Sequence, residues 1–335
     1  MSHGILSAHS IKTLVDSGNI RLGDHNIGSG QIQPASLDLR LGHKAYRLRA
    51  SFLPGDGRTV ADCLPNISMH EVNLKQGAVL ETGCVYLVPL LEGLSLPRHL
   101  SAAANPKSST GRLDVFTRVI CDGSRQFDAI PEGYDGPLYL EIAPRTFSIL
   151  VRTGDRLAQI RFRDGAQTTL STETVSIDLK GQSADSIIGY RARRHSGLVD
   201  VGNVGGHAAK EYWQPIYAPD ETLILDPNEF YILVSKEFVS IPADQAAEMA
   251  PIATEIGEFR AHYAGFFDPG FGLGKTGSKA VLEVRGRDVP FMLRHGQPVA
   301  KLVFEPMKDK PETLYGQNGS NYQGQALRLS KHFKM

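Results

Sequence analysis

One carboxylic acid, Glu283, stands inside an aliphatic run from Ala280 to Val284, directly after a turn-rich stretch from Gly265 to Gly277. In a strand the side chains alternate, so Val281 and Glu283 share one face and Leu282 takes the other. An isolated strand glutamate is most often simply solvated. The glycine-rich turn beside it raises the other reading, because glycine backbone can approach a flat ligand closely. A buried carboxyl at such a place suits proton transfer. A second group, Lys107, Ser108, Ser109 and Arg112, brackets small hydroxyls between two cations. Hydroxyls, backbone N–H groups and a guanidinium fork are what phosphate oxygens accept from. Each member alone also fits a plain role, the serines as turn caps and Arg112 as a surface cation.

Two motif matches fail on context. Gly272, Gly274 and Gly277 fit the dinucleotide pattern G-x-G-x-x-G, but a strand pattern follows them and no helix start is present to receive a pyrophosphate. Gly274, Lys275 and Thr276 end like a P-loop, yet the position of its first glycine is Pro269.

The elements that must hold these residues are short strands. They run from Ser36 to Leu41, Val85 to Pro89, Leu138 to Ile142, Arg156 to Phe162, Leu223 to Leu225, Phe230 to Val234, Ala280 to Val284 and Val299 to Phe304, bounded by Gly, Pro, Asn and Asp. One amphipathic helix is predicted from Ala8 to Ser17, capped by Ser7 and stopped at Gly18. The fold class is mainly β.

An internal repeat sets the architecture. Gly83 to Pro97 lies over Asn228 to Pro242 in pattern, displaced by 145 residues, and Leu140, Glu141 and Ile142 lie over Leu282, Glu283 and Val284, displaced by 142. The joint falls near Ser176 to Asp185, giving one lobe over residues 1–178 and a second over 185–335. The basic run Arg191, Arg193, Arg194 and His195 after the joint reads as a solvated connecting face. The copies differ in what they carry. The Lys107 to Arg112 turn has no counterpart at Pro251 to Gly257, where Glu255 would repel an anion. The second copy alone has a compact Ala264 to Phe271 turn and a polar tail from Tyr315 to Gln325.

The chain has 335 residues, 41% hydrophobic, enough for two cores. Lys plus Arg equals Asp plus Glu, 36 against 36, which offers no global field for nucleic acid or an acidic membrane. The longest apolar runs, such as Val85 to Leu91, are too short to span a bilayer, and no leader pattern opens the chain, so a cytoplasmic protein is expected. Three widely spaced cysteines, Cys63, Cys84 and Cys121, read as buried free thiols.

At these residues the sequence resembles the dCTP deaminase branch of the trimeric dUTPase superfamily. Four stretches in the family's order carry the resemblance: Ile32 to Gly42, Lys107 to Arg112, Ala264 to Phe271 with Leu282 and Glu283, and Ser320 to Gln325. It implies two tandem dUTPase-like lobes, each a distorted β-barrel or jelly roll, and deamination of dCTP to dUTP and ammonia. By position it implies that Lys107, Ser108, Ser109 and Arg112 hold the triphosphate or a water. Ala264, Gly265 and Asp268 belong to the base-binding hairpin, Phe271 lies near the deoxyribose, and Tyr315, Tyr322 and Gln325 close over the phosphates. Glu283 is the implied acid/base, with Glu141 of the first copy a competing candidate. Magnesium is expected only through the triphosphate. Relatives assemble around threefold axes, so a homo-oligomer with sites where lobes meet is expected, with dTTP a candidate inhibitor.

Hydrolytic deamination can be run by one carboxyl in a dry pocket. The zinc route needs H-x-E with P-C-x-x-C, and neither pattern occurs. Competing readings are a dUTP diphosphatase, in which an acid at position 283 is not expected, a bifunctional enzyme releasing dUMP, and a non-catalytic deoxynucleotide sensor.

Overall fold

A computed structural model describes residues 3–183, 185–251, 259–262, 265–274, 277–317 and 322–335, with only the backbone of 259–262. Strands dominate. A first ladder runs Val115–Cys121, Asp135–Pro144, Val85–Ser95, Lys44–Leu48, Ser68–Asn73. A second runs Phe259–His262, Ser278–Gly286, Phe230–Val239, Gly189–Ala192, Trp213–Ile216.

The sequence repeat reappears as repeated pairing. Glu141 opposes Leu87 in the first ladder and Glu283 opposes Ile232 in the second, displacements of 142 and 145. The same displacements carry the pair Phe162 and Ala102 onto Phe304 and Ala247, and the pair Ile149 and Leu80 onto Phe291 and Leu225. Because a one-residue slip would turn every side chain to the wrong face, a register kept at three places means that the two halves bury the same positions.

Alternation along Ser278–Gly286 does what the pattern predicts. Leu282 and Val284 join a core with Tyr231 and Leu233, whereas Val281 joins the other large core with Phe230, Ile232 and residues of the first half such as Leu113 and Phe147. One face of this strand therefore looks into its own half and the other, bearing Glu283, looks into the first half. Buried polar pairs cross the same boundary. Arg163 makes two bonds to Glu305 at 2.8 and 2.9 Å, and Asn105 donates to Glu248 at 2.9 Å.

The predicted first helix is found at Ala8–Asp16, with Ile11 and Leu14 buried. Ser7 occupies its cap position but makes no capping bond, because its hydroxyl pairs with Asp309. A second helix, Val60–Ile67, is absent from the sequence reading: it is short, contains Pro65, and buries only Val60 fully. Its legible signal is Thr59 with Asp62, a reciprocal capping box. Of the cysteines only Cys121 is buried. Cys63 and Cys84 are half-exposed, which corrects the expectation of three buried thiols. The basic run is exposed at Arg193, Arg194 and His195, as a solvated face should be, while Arg191 and Arg194 also pair with the buried Glu229. No described helix is long and apolar enough to cross a membrane.

Candidate active site

After the strand Leu100–Pro106 the chain turns once as a short helix, Ser108–Gly111, whose Thr110 and Gly111 N–H groups bond to the Lys107 carbonyl at 2.8 and 3.0 Å. The Lys107 amine pairs with Asp38, whose carboxylate also lies 3.7 Å from Arg156. From behind, the Ser330 hydroxyl donates to the Ser109 carbonyl at 2.7 Å. Ser330 Oγ in turn lies 2.9 Å from Nδ1 of His332, and burial pushes that imidazole down to about 4. It is therefore neutral at physiological pH and acts as a structural group here.

Arg112 is held at each nitrogen that reaches a partner. Nη1 donates to the Arg328 carbonyl at 3.0 Å and Nη2 to Gln325 Oε1 at 3.1 Å, and the guanidinium stacks 4.0 Å from the Tyr322 ring centroid. Its Nε points at Glu283 Oε1 across 3.7 Å, too far for a hydrogen bond. Glu283 is fully buried, and neither carboxylate oxygen nor Arg112 Nε has a hydrogen-bond partner among the described residues. Burial pushes the Glu283 carboxyl up to about 8, against the opposing pull of Arg112.

Two residues further along each element the charges are reversed. Asp114 follows Arg112 and Arg285 follows Glu283, and Arg285 pairs with Asp114 while donating to Thr146 at 2.8 Å. Thr146 closes the triangle by donating to Asp114 at 2.6 Å. This second buried pair locks the register in which turn and strand meet. Sequence reasoning missed it, since its partners lie in different halves; the alternation of signs, Arg-x-Asp facing Glu-x-Arg, is its only trace.

A cleft of about 580 Å³ opens above this arrangement, within the usual range for small-molecule sites. Lys107, Ser108, Ser109, Arg112, Asp268, Phe271, Tyr315, Tyr322 and Gln325, all expected from the sequence, line it together. Gly265 abuts its rim at a left-handed φ of +85°, where a Cβ would lie 3.1 Å from the Ser108 hydroxyl, so the second half's hairpin needs glycine to seat on the first half's turn. Asp268 lies in the wall, paired with the buried Arg161 at 3.2 Å. Phe271 packs 5.1 Å from Phe267 and 5.4 Å from Tyr315 between ring centroids. Gln325 is fixed to the acid's own strand through Lys279, accepting from its N–H at 3.0 Å and donating to its carbonyl at 3.2 Å. Ala264 lies outside the described residues. Asp38, Arg156, Gln159, Lys331 and His332 also line the cleft. Of these only Asp38 was singled out in the sequence, as either a hydrogen-bonding or a contact residue.

Glu283 itself is not among the lining residues, but its facing cation Arg112 and its strand neighbour Val281 are; Glu141 has no such link to the cleft. It is buried with Arg118 Nε 3.1 Å from Oε1, although neither Arg118 Nε nor Glu141 Oε2 makes a hydrogen bond among the described residues, and the Arg118 guanidinium stacks 4.2 Å from the Phe127 centroid. The face it shares with Leu87 and Ile120 is covered by Val60, Leu64 and Ile67 of the second helix region and by Phe127.

Geometry and fold together define a β protein in which a turn bearing two cations lies beside a buried acid that makes no hydrogen bond among the described residues. The model of the 2'-deoxycytidine 5'-triphosphate deaminase N-terminal domain matches residues 2–166, and that of the C-terminal domain matches 156–333. The chain belongs to the 2'-deoxycytidine 5'-triphosphate deaminase family. A crystal structure of 2'-deoxycytidine 5'-triphosphate deaminase from Agrobacterium tumefaciens is 52% identical, with a TM-score of 0.87, covering 92% of this chain and all (100%) of that one. Among curated relatives, a dUMP-forming dCTP deaminase from Beutenbergia cavernae is 33% identical over 111 residues, which is 32% of this chain and 56% of that protein. A dCTP deaminase from Haloarcula marismortui is 28% identical over 166 residues, 48% of this chain and 80% of that protein.

Proposed function

We propose that this chain hydrolytically deaminates dCTP at a site formed between two dUTPase-like lobes, with Glu283 as the proton-transfer group. The observation that carries the reading is the buried Glu283 carboxyl, without a hydrogen-bond partner among the described residues and 3.7 Å from Arg112, which lines the cleft together with Lys107. A carboxyl raised to about 8 exchanges protons readily near neutral pH, which is what a general acid and base needs.

In this reading the ionised carboxylate takes a proton from water as the water oxygen attacks C4 of the cytosine. It passes that proton to N3. The remaining proton of the added hydroxyl goes to the amino nitrogen, the C4–N bond breaks, and ammonia leaves a uracil carbonyl. Arg112 orients Glu283 and steadies its charge through these steps. The Gly265 backbone approaches the base, Phe271 packs at the sugar, and Tyr315, Tyr322 and Gln325 close the tail over the phosphates. Among the described residues no cluster of three His, Cys, Asp or Glu side chains offers a metal cage. The donor set is cationic, so magnesium fits as a passenger on the phosphate oxygens with water filling its sphere. Glu141, with Arg118 3.1 Å away and its face covered by local apolar side chains, has a structural role in this reading.

Incubation with dCTP and chromatography of the products tests this reading. Ammonia with dUTP or dUMP supports it, and no ammonia from dCTP overturns it. The names of relatives such as that of Beutenbergia cavernae favour testing for dUMP in the same run. Release of dUMP would add a phosphoanhydride hydrolysis to the deamination.

A further inference from the structure

We propose that Lys331, on the C-terminal segment, is a phosphate-binding residue of the cleft, the cation that reads the outer phosphates of a nucleoside triphosphate. This rests on the reading of the cleft as a nucleotide site and specifies how its anionic end is gripped.

Lys331 lines the cleft with Lys107, Arg112, Arg156 and Asp38. The other three cations already have partners. Lys107 and Arg156 share Asp38, and Arg112 is held by Gln325, the Arg328 carbonyl and the facing Glu283. The Lys331 amine has no ion-pair or hydrogen-bond partner among the described residues. Partial burial, with Lys107 and Arg156 nearby, draws its pKa down, and Asp38 and Asp155 only partly oppose this. A half-buried ammonium without a counter-ion in direct contact is costly unless an anion arrives to pair with it. Of the four cations on the wall, Lys331 is the one whose charged group touches no acid among the described residues, Asp38 and Asp155 acting on it only from a distance.

The segment is built to hold this side chain in place. The Lys331 N–H donates to the Tyr322 hydroxyl at 3.2 Å, and its carbonyl accepts from Gly205 at 3.0 Å. On either side of it, Ser330 bonds to the Ser109 carbonyl and His332 Nε2 lies 3.1 Å from the Val201 carbonyl. Phe333 then pairs in parallel with His207. The backbone is pinned between the phosphate turn and the 201–207 loop, and the amine alone remains to be paired. Losing one charge-assisted contact of this kind weakens anion binding on the order of tenfold or more.

The test compares wild type, Lys331→Met and Lys331→Arg, using calorimetric binding of inorganic tripolyphosphate alongside steady-state kinetics with dCTP and with deoxycytidine. In Lys331→Met the tripolyphosphate Kd and the KM for dCTP should both rise roughly tenfold, with kcat and the deoxycytidine reaction little changed. Lys331→Arg should recover most of the loss, which a merely structural role would not allow. Unchanged tripolyphosphate affinity in Lys331→Met, no tripolyphosphate binding by wild type, or equal losses with dCTP and deoxycytidine would overturn the inference. Lysine-dependent tripolyphosphate binding without dCTP turnover would instead support it and sink the deaminase reading.

Discussion

Glu141 and Glu283 occupy the same position on the same strand of a repeated sheet, opposite Leu87 and Ile232 respectively, and both are buried. Their surroundings differ in what covers the face they share. In the first ladder the chain covers it locally, with the Val60–Ile67 helix region and Phe127, and Arg118 on the neighbouring strand comes within 3.1 Å of the acid. In the second ladder the face packs against the first half of the chain, and the facing cation, Arg112, stops 3.7 Å short. The lesson is that a strand position alone does not set an acid's surroundings; the segment that covers its face and the distance of its counter-ion do.

The largest effect expected from breaking this comparison is at Glu283. Glu283→Gln should lower kcat for dCTP by roughly 10²- to 10⁴-fold while calorimetry still detects dCTP binding; turnover near wild type would remove Glu283 from the mechanism. Arg112→Met should come next, because it takes away the facing cation and the anchor of Gln325 and Tyr322 together. We expect kcat/KM to fall on the order of 10², measured in the same assay.

Asp114→Asn sharpens the comparison through stability. It leaves Arg285 buried without its counter-charge, a change that typically costs about 3–5 kcal/mol, to be read by denaturant unfolding. A midpoint like that of wild type would show that the crossed pair does not hold the halves in register. Glu141→Gln should have the smallest catalytic effect, within about threefold in kcat/KM, well below the loss expected for a general acid or base.

Glu283 also predicts a pH signature. Because the Glu283 pKa is raised on folding, the folded chain keeps a proton that the unfolded chain releases. The stability it contributes is present in full below about pH 4.5 and is lost as pH rises through about 8. Melting temperatures of wild type and Glu283→Gln should therefore diverge as pH rises across that window, with the variant the more stable at the alkaline end. Parallel curves would contradict a buried, proton-holding Glu283.

Much of this was legible in the sequence because the repeat is written in side-chain periodicity. Two offsets between the halves return as two displacements in the strand pairing, and the alternation of Val281, Leu282 and Glu283 gives the direction in which the acid faces. The Lys107 to Arg112 turn and the tail residues Tyr322 and Gln325 were legible as a set, and they meet at Arg112. Long-range pairings were not legible. Asp114 and Arg285 are adjacent only after the halves dock, and nothing local marks Asp268 as the partner of Arg161. Nothing local marks Lys331, because its place is set by a loop near Gly205 and Val201 that fixes the backbone around it. The Val60–Ile67 helix was hidden by Pro65 and by its length, although it is what separates the fate of Glu141 from that of Glu283.

The most direct measurement is a crystal structure of the Glu283→Gln variant grown with dCTP. The account predicts one nucleotide per chain, with the amino-bearing carbon of the cytosine against residue 283 and the phosphates along Lys107 to Arg112. A base lying against Glu141, or a nucleotide bound away from both strands, would contradict it.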